Sequence, residues 1–283
     1  MKLTRFSQNP ILVPDSELPF EKAAVYNPCA AVLRNKVYMI YRAEGDYYDR
    51  YVSTLCLAIS SDGIHFKKYK NNPVIKPSTD HESRGCEDPR ITKVGSTFYM
   101  TYTAWAGHKV GVALATSKDL IHWHKHGVVL ENTKSAQILS TPIAGHYFML
   151  VGDMHIKLAH SKDLIHWHIE HEHILSPRSH KFDNELVEVG PEPILKNGEY
   201  IVIYNSSDNL GRYHASYFIL DPQNPKKVLY RHNKPIFSPE EYYELYGKVN
   251  YVVFIEALVK FKNKYLVYYG AADKSIGGAV LTI

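Results

Sequence analysis

An eight-residue string, SKDLIHWH, occurs twice in this chain, at residues 117–124 and 161–168, and a looser copy, SSDGIHFK, begins at Ser60. Recurrence at a steady interval limits a chain to folds built from repeated units. Before each copy lies a pair of short apolar runs separated by a turn, which is typical of a β-meander. Five such pairs divide the chain, and they start at Val25, Cys86, Ser140, Gly190 and Val253.

Each unit is long enough for four strands. Aligned on the residue before a proline, or on its equivalent in the fifth unit, the units start at Asn27, Asp88, Thr141, Glu192 and Glu256. Four-stranded propeller blades need about 40 to 50 residues, and propellers contain about 4 to 8 blades. The fifth unit is one strand short, and the N-terminal segment LTRFSQNPILV supplies that strand and closes the ring. The sequence therefore predicts an all-β fold, a single five-bladed β-propeller domain over residues 1–283, rather than a β-sandwich, which has no such repeat.

The composition sets the class of protein and excludes several partners. With 45% hydrophobic and 22% charged residues, the 283-residue chain is typical of a globular protein. Its net charge of +4 is spread along the sequence, so we expect no binding to nucleic acid. No apolar run approaches the roughly 18 residues of a membrane span. Three cysteines without CxxC spacing, and a start, MKLTRFSQNP, without an apolar leader region, predict a cytoplasmic protein.

Polar residues occupy corresponding places in the five units. In a propeller the first strand of each blade lines the central channel, so equivalent positions converge on the axis. Carboxylates, amides and an arginine around one cavity suit a small polyhydroxylated ligand such as an oligosaccharide, and paired carboxylates also catalyse glycoside cleavage. Candidates at the strand starts are Asn27, Asp88, Glu192 and Glu256, and those after the second strands are Arg42, Asp153, Asn205 and Asp273.

The run GCEDPRITKVGSTFYMTYTAW, with YNPCAAV and YRAEG before it and YYGAAD after it, resembles glycoside hydrolase family 130, the β-mannoside phosphorylases and β-mannosidases. The resemblance covers nearly the whole chain. It implies a five-bladed propeller and an inverting enzyme that acts on terminal β-mannosides. It makes Asp88 the general acid, whose proton in the family's phosphorylases passes through a mannose hydroxyl. It also implies that Asn27, Arg42 and Asp273 hold the mannose before the cleaved bond. Lys134 matches a lysine of the phosphate site.

The chain departs from the family's phosphorylases where they bind phosphate. Gly152 and Asp153 stand in place of His-Arg, and Asn205 in place of a histidine, so two cationic partners are missing. Glu192 replaces a proline and brings a carboxylate into this region. Two like charges a few ångströms apart, at an effective dielectric near 20, cost on the order of 3 to 4 kcal/mol. We therefore expect hydrolysis, with Glu192 deprotonating water on the face opposite Asp88, and Asp153 as a second candidate for the base.

The predicted function is an inverting exo-β-mannosidase that hydrolyses terminal β-mannosides, with β-1,2-linked manno-oligosaccharides as the expected substrates. One alternative is a β-mannoside phosphorylase whose phosphate site includes Lys134 and Arg42, and a second is a propeller that binds mannosides without cleaving them. Trp105 follows the EDPR hairpin and is a candidate wall of a sugar subsite. The histidines alternate along strands, as on solvated faces, so we expect no metal and no other cofactor. Nothing in the sequence indicates an oligomeric state.

Overall fold

β-Strands make up nearly all the regular structure of the computed structural model, which describes residues 1–46 and 51–283. The strands form five antiparallel sets. The first contains β2 (Ala24–Leu33), β3 (Lys36–Glu44), β4 (Ser53–Ser60) and the short β5 (Lys67–Lys68). The second contains β6 (Gly85–Val94), β7 (Thr97–Trp105), β8 (Val110–Ser117) and β9 (His124–Glu131). A single parallel pairing of Ser53 with Gly85 joins these two sets into one sheet.

The other three sets are separate sheets. The third contains β10 (Ala136–Ile138), β11 (Tyr147–Val151), β12 (Ile156–Ser161) and β13 (His168–Leu175). In the fourth, β14 (Leu186–Val189) and β15 (Ile194–Lys196) both pair with β16 (Glu199–Ser207), which is followed by β17 (Tyr213–Leu220) and β18 (Val228–Arg231). The fifth contains β19 (Val253–Phe261), β20 (Lys264–Ala271), β21 (Ser275–Thr282) and β1 (Lys2–Arg5).

Helices are short: a 3-10 turn spans Asp80–Glu82, and helix α1 spans Tyr242–Leu245. In the described part of the chain, no helix combines the length and the apolarity needed to cross a bilayer. The all-β class predicted from the repeats is therefore confirmed.

The N-terminal strand completes the last set. β1 pairs antiparallel with β21, in a register that places Lys2 opposite Thr282 and Arg5 opposite Ala279. This pairing confirms that the N-terminal segment supplies the missing strand of the fifth unit. None of the sheets formed by the described residues closes on itself. The five-bladed ring therefore stays a prediction.

Apolar clusters lie between the sets, and this explains why several strands are buried on both faces. β3, for example, reads as a nearly continuous apolar run and is buried along most of its length. Each set shares one apolar cluster with each of two other sets, and one of these clusters joins the first set to the fifth. Residues that fall in the same cluster from different sets are Val25 and Tyr268, Leu57 and Met100, Leu114 and Met149, Leu158 and Val202, and Ile203 and Val267.

Bulges interrupt β2, β6 and β19 at corresponding places, where the pairing register shifts around Asn27, Asp88 and Glu256. Asn27 and Asp88 adopt left-handed backbone angles, with φ of 46° and 48°. Asn and Asp tolerate this region better than most residues. A bulge bends its strand and turns a side chain out of the regular alternation. The side chains of Asn27 and Asp88 therefore leave the regular alternation of their strands at these bulges.

The repeated Ser-x-Asp segments form turns held by side chain to backbone hydrogen bonds, as in Ser117–His122. The Ser117 hydroxyl accepts bonds from the N–H groups of Asp119 and Leu120, at 3.1 and 2.9 Å. Asp119 Oδ1 accepts from the N–H groups of Ile121 and His122, at 2.9 and 2.8 Å, and Oδ2 lies 2.7 Å from His122 Nδ1. The same bonds recur at Asp62 and Asp163. These segments therefore stabilise the turns of the scaffold.

Replacing Asp119 with alanine should lower the melting temperature by about 2 °C at pH 7, the equivalent of about 1 kcal/mol for a chain of this size. Partial burial raises the pKa of Asp119, but His122 and the backbone N–H donors together hold it well below its usual value. The stabilisation is therefore complete above the unfolded pKa near 4 and is lost as the pH falls towards 2. Thermal unfolding of the wild type, Asp119→Ala and His122→Ala measures this effect. An Asp119→Ala deficit that stays constant from pH 7 to pH 2 would contradict it.

Candidate functional site

A cavity of about 170 Å³ collects charged residues from the first, second and fourth sets, from the turn between the second and third sets, and from the turn after β20. Five of the ten candidate residues named from the sequence line it. Its lining residues are Asn27, Arg42, Asp88, Lys134, Glu188, Tyr213, Val249, Val252, Phe254 and Asp273.

Asp88 is the predicted general acid, and two neighbours bind its carboxylate. Asn27 Nδ2 donates to Asp88 Oδ1 at 2.9 Å, and Arg42 Nη1 donates to the same oxygen at 3.2 Å. Burial raises the pKa of Asp88, but the charges of Arg42 and Lys134 and the bond from Asn27 outweigh burial, so the net pKa is lowered. The carboxyl group is therefore ionised at neutral pH unless a ligand changes the charges around it.

Arg42 neutralises several carboxylates at once. Its Nη2 atom lies 2.7 Å from Glu44 Oε1 and 2.9 Å from Glu87 Oε1, and its Nε donates to Ser53 Oγ at 3.0 Å. Together with Asp88, three acidic side chains surround this one guanidinium group. Because the group is buried, these ion pairs are poorly screened by water. Arg42 is therefore fixed in place and presents a defined positive edge to the cavity.

Lys134 is the second cation of the cavity, and it lies in the turn between β9 and β10. The charge of Glu188 is the largest cause that raises the pKa of Lys134, and Asp88 and Asp153 add to it. The Lys134 ammonium lies 3.6 Å from Asp153 Oδ2. Glu188, on β14, is buried and accepts a hydrogen bond from the Ser135 hydroxyl. Burial raises the pKa of Glu188, although Lys134 lowers it. Lys134 thus acts on the two carboxylates Asp88 and Glu188.

Asp273 lies after β20 and lines the same cavity. Burial raises its pKa to about 7, although Arg42 opposes this shift, and Asp88 contributes to it. Its backbone is also left-handed, with φ of 49°. Asp273 therefore changes its protonation near neutral pH, so the cavity can offer a sugar hydroxyl either a donor or an acceptor there.

Five of the candidate residues do not line this cavity: Asp153, Asn205, Trp105, Glu192 and Glu256. Asp153 lines a neighbouring cavity and is linked to the first by its ion pair with Lys134. Asn205 uses its side-chain amide to join two strands, since it donates to the carbonyl of Ile255 at 2.9 Å and accepts from its N–H at 2.8 Å. Trp105 ends β7, opposite Gly85 in the neighbouring strand.

Glu192, the predicted base, lies between β14 and β15 and is directed to Ser140 rather than to the cavity. Its carboxylate is half-buried, and Ser140 provides hydrogen bonds from its side chain and its backbone. Burial raises the pKa of Glu192 to about 7, more than these bonds lower it. The structure therefore does not bring Glu192 together with Asp88.

Glu188 is the carboxylate of the fourth set that does line the cavity, and the alignment on prolines misses it. In the strand register Glu188 pairs with Asn205, as Glu87 pairs with Thr103 in the second set. Alignment on the proline instead places Glu192 at the position that corresponds to Asp88. Matching the second strands, YTAW and YNSS, and counting back across the pairs would have indicated Glu188.

The alternating histidines lie on outer strands such as β9 and β13, where most are exposed. Within residues 1–46 and 51–283, no group of three or more His, Cys, Asp or Glu side chains is arranged to hold a metal ion.

A cavity that combines several carboxylates with buried cations and amides is typical of enzymes that act on glycosides. Comparison with known families agrees: residues 3–283 match the model of glycoside hydrolase family 130, which is described as beta-1,4-mannooligosaccharide phosphorylase. The chain belongs to glycoside hydrolase family 130.

Two relatives from Thermoanaerobacter sp. (strain X514) are similar over nearly their full length. A beta-1,2-mannobiose phosphorylase is 36% identical over 99% of this chain and 97% of its own. A 1,2-beta-oligomannan phosphorylase is 37% identical over the same shares of the two chains.

Solved structures share the fold. One solved structure is 32% identical to this chain, with a TM-score of 0.93 over 99% of this chain and 93% of that one. Its description states that the GH130 family of mannoside phosphorylases contains glycoside hydrolases that target beta-1,2 mannosidic linkages in Candida mannan. A putative glycosidase from Bacteroides thetaiotaomicron is 31% identical, with a TM-score of 0.92 over 98% of this chain and 96% of that one.

Replacing Glu192 with glutamine should make the protein more stable at alkaline pH. Because the folded pKa of about 7 lies above the ordinary glutamate value of 4.5, the wild type loses stability as the pH rises between these values. We expect the melting temperature of Glu192→Gln relative to wild type to rise by about 5 °C between pH 5 and pH 8. Glu199→Gln, an exposed neighbour on β16, is the control. A difference that does not change with pH would show that Glu192 is not buried as described.

Proposed function

We propose that this chain is an inverting β-mannoside phosphorylase that cleaves terminal β-1,2-linked mannosides and releases mannose 1-phosphate. This differs from the hydrolase expected from the sequence, because the two relatives similar over their full length are phosphorylases. The observation that carries the proposal is the position of Lys134, which lines the cavity and acts electrostatically on both Asp88 and Glu188.

The charge around Asp88 supports phosphorolysis. A general acid must carry a proton at the working pH, yet Arg42 and Lys134 keep the Asp88 carboxylate ionised. A phosphate anion bound at Lys134 offsets one of these positive charges and so raises the pKa of Asp88. Binding of phosphate thus prepares the acid, whereas neutral water at the same place leaves Asp88 without a proton.

Glu188 fits a phosphate site only as a neutral group. An ionised carboxylate beside phosphate is repelled at a cost of several kcal/mol. Burial raises the pKa of Glu188, which favours its protonated form. A protonated carboxyl can donate a hydrogen bond to a phosphate oxygen. The buried glutamate and phosphate are therefore compatible when the proton stays on Glu188.

In the proposed reaction, phosphate attacks the anomeric carbon from the face opposite the leaving sugar. The bond from this carbon to the glycosidic oxygen breaks as its bond to a phosphate oxygen forms, and the configuration inverts. The leaving oxygen receives its proton from Asp88, and hydrogen phosphate replaces that proton on Asp88, so that the products are a free sugar hydroxyl and the dianion of mannose 1-phosphate. Asn27, Arg42 and Asp273 bind the hydroxyls of the mannose that is transferred.

The five strand sets are proposed to be the blades of one propeller domain that carries this site. The clusters between neighbouring sets, including the one shared by the first and the fifth, support this arrangement. The pairing of β1 with β21 supports closure of the last blade by the N-terminal strand.

Hydrolysis is the second candidate, and Glu188 is the observation that favours it. If Glu188 is ionised in the complex with substrate, it can deprotonate a water molecule and serve as the base of an inverting hydrolase. In this scheme Glu188 takes the role that the sequence assigned to Glu192. The likeness to a structure whose description includes hydrolases of β-1,2 linkages supports this alternative.

Incubation with β-1,2-mannobiose, with and without inorganic phosphate, tests the proposal. We expect mannose 1-phosphate and mannose in equal amounts when phosphate is present, and turnover at least about 100-fold slower without it, because phosphate is the nucleophile. Anion-exchange chromatography separates the products. Mannose as the sole product at the same rate in both media would refute phosphorolysis and favour hydrolysis.

Two carboxylate variants separate the candidates at the residue level. Asp88→Asn should lower turnover by about 10³-fold, because it removes the proton donor. Glu188→Gln keeps a hydrogen-bond donor, so a phosphorylase should keep at least about a tenth of its turnover. A hydrolase that uses Glu188 as its base should instead lose nearly all turnover. A protein that only binds mannosides shows no turnover to lose, and its affinity for mannobiose, measured by calorimetry, survives Asp88→Asn.

A further inference from the structure

Arg90 lies two residues after Asp88 on β6, and its side chain is fully buried. Its guanidinium group donates to three backbone carbonyls. Nη1 reaches the carbonyl of Asp88 at 3.2 Å, Nη2 that of Val189 at 2.6 Å, and Nε that of Gly190 at 3.2 Å. Val189 and Gly190 directly follow Glu188. One side chain therefore ties the main chain at Asp88 to the main chain beside Glu188.

Glu256 supplies the counter-charge. Arg90 Nη2 lies 2.9 Å from Glu256 Oε1, and both side chains are completely buried. Glu256 stands at the bulge of β19 that corresponds to Asp88 in β6. Neither of its carboxylate oxygens has a hydrogen bond within the described part of the chain. Burial raises the pKa of Glu256 well above its ordinary value, and Arg90 is the strongest influence that opposes this shift. The ion pair with Arg90 is therefore what favours the charged form of Glu256.

We propose that Arg90, held by Glu256, is a positioning residue that sets the placement of Asp88 relative to Glu188. This inference rests on the proposed function, in which both carboxylates act on one substrate. The two residues belong to different strand sets, β6 and β14, which are separate sheets. The Arg90 guanidinium spans this gap with directional bonds at defined distances.

The backbone geometry makes such a restraint necessary. Asp88 lies in a bulge with φ of 48°, and the ladder pairing of β6 is interrupted there. Beyond Val189 the pairing of the fourth set is interrupted as well, up to Ile194. The planar fork of arginine can serve three carbonyls in fixed directions, whereas the ammonium group of lysine is a compact charge on a flexible stem. A misplacement of about 1 Å at a reacting group can cost about 100-fold in rate.

Arg90→Lys is the main test, because it keeps the charge opposite Glu256 but loses the fork. We expect kcat with β-1,2-mannobiose and phosphate to fall about 100-fold. KM, and the affinity for mannose measured by calorimetry, should stay within about threefold, since Asn27, Arg42 and Asp273 are unchanged. Loss of stability alone would also lower the apparent kcat at unchanged KM, because it reduces the amount of active protein. The number of mannose-binding sites from the same calorimetry therefore gives the folded fraction, and kcat is calculated per folded site.

Thr92→Val is the matched control. Thr92 is buried on the same strand, and its hydroxyl donates to the carbonyl of Ile138 at 2.7 Å, in the third set. Its removal breaks a buried bond between sets but leaves the chain at Asp88 and Glu188 alone, so kcat should stay within about threefold. Glu256→Gln, which is nearly isosteric, is the second positioning variant. It should lower kcat about tenfold with KM unchanged. If Arg90→Lys does not fold, Glu256→Gln alone tests the positioning role.

The outcomes distinguish this inference from the proposed function. If the wild type forms neither mannose 1-phosphate nor mannose, the proposed function fails, and the positioning role fails with it. If the wild type is active and either folded variant, Arg90→Lys or Glu256→Gln, keeps kcat within threefold, the positioning role is wrong while the function stands. A fall of kcat in Thr92→Val equal to that in Arg90→Lys would also overturn it.

Discussion

Two buried guanidinium groups, those of Arg42 and Arg90, make it possible for strands from different sheets to bring their carboxylates together. Arg42 pairs with Glu44, Glu87 and Asp88, and Arg90 pairs with Glu256. Carboxylates placed this close together and away from water repel one another strongly. Without the two cations the acids would have to be protonated or the strands would have to separate. Charge compensation at the centre is therefore a condition for both the packing and the chemistry.

The two cations act differently. Arg42 lines the cavity and lowers the pKa of Asp88, so it acts directly on a carboxylate proposed to react. Arg90 is fully buried and donates to main-chain carbonyls, so it supports the backbone that carries these carboxylates. Lys134 is a third cation, and a bound anion can offset its positive charge. The protonation state of Asp88 therefore depends on what occupies the space beside Lys134.

The repeats of the sequence predict the strand content, the pairing of β1 with the last set, and five residues of the cavity. These follow from local patterns: apolar runs separated by turns, and polar residues at strand starts. The sequence does not predict that Glu188 lines the cavity, because alignment on a proline assumes that every unit has the same length. The fourth unit breaks between β14 and β15, and this break moves Glu192 towards Ser140 and leaves Glu188 in the cavity. Placement across separate sheets, such as that of Lys134 near Glu188, depends on tertiary packing that no local pattern encodes.

The pairing of β1 with β21 has a consequence for how the chain folds. Lys2 and Thr282 are partners in one ladder, although nearly the whole sequence lies between them. Closing so large a loop carries an entropic cost, and contacts between distant residues slow folding. During synthesis β1 has no partner until β21 has left the ribosome. An unpaired edge therefore persists until β21 is synthesised, and during this time the fifth set is open to pairing with another chain.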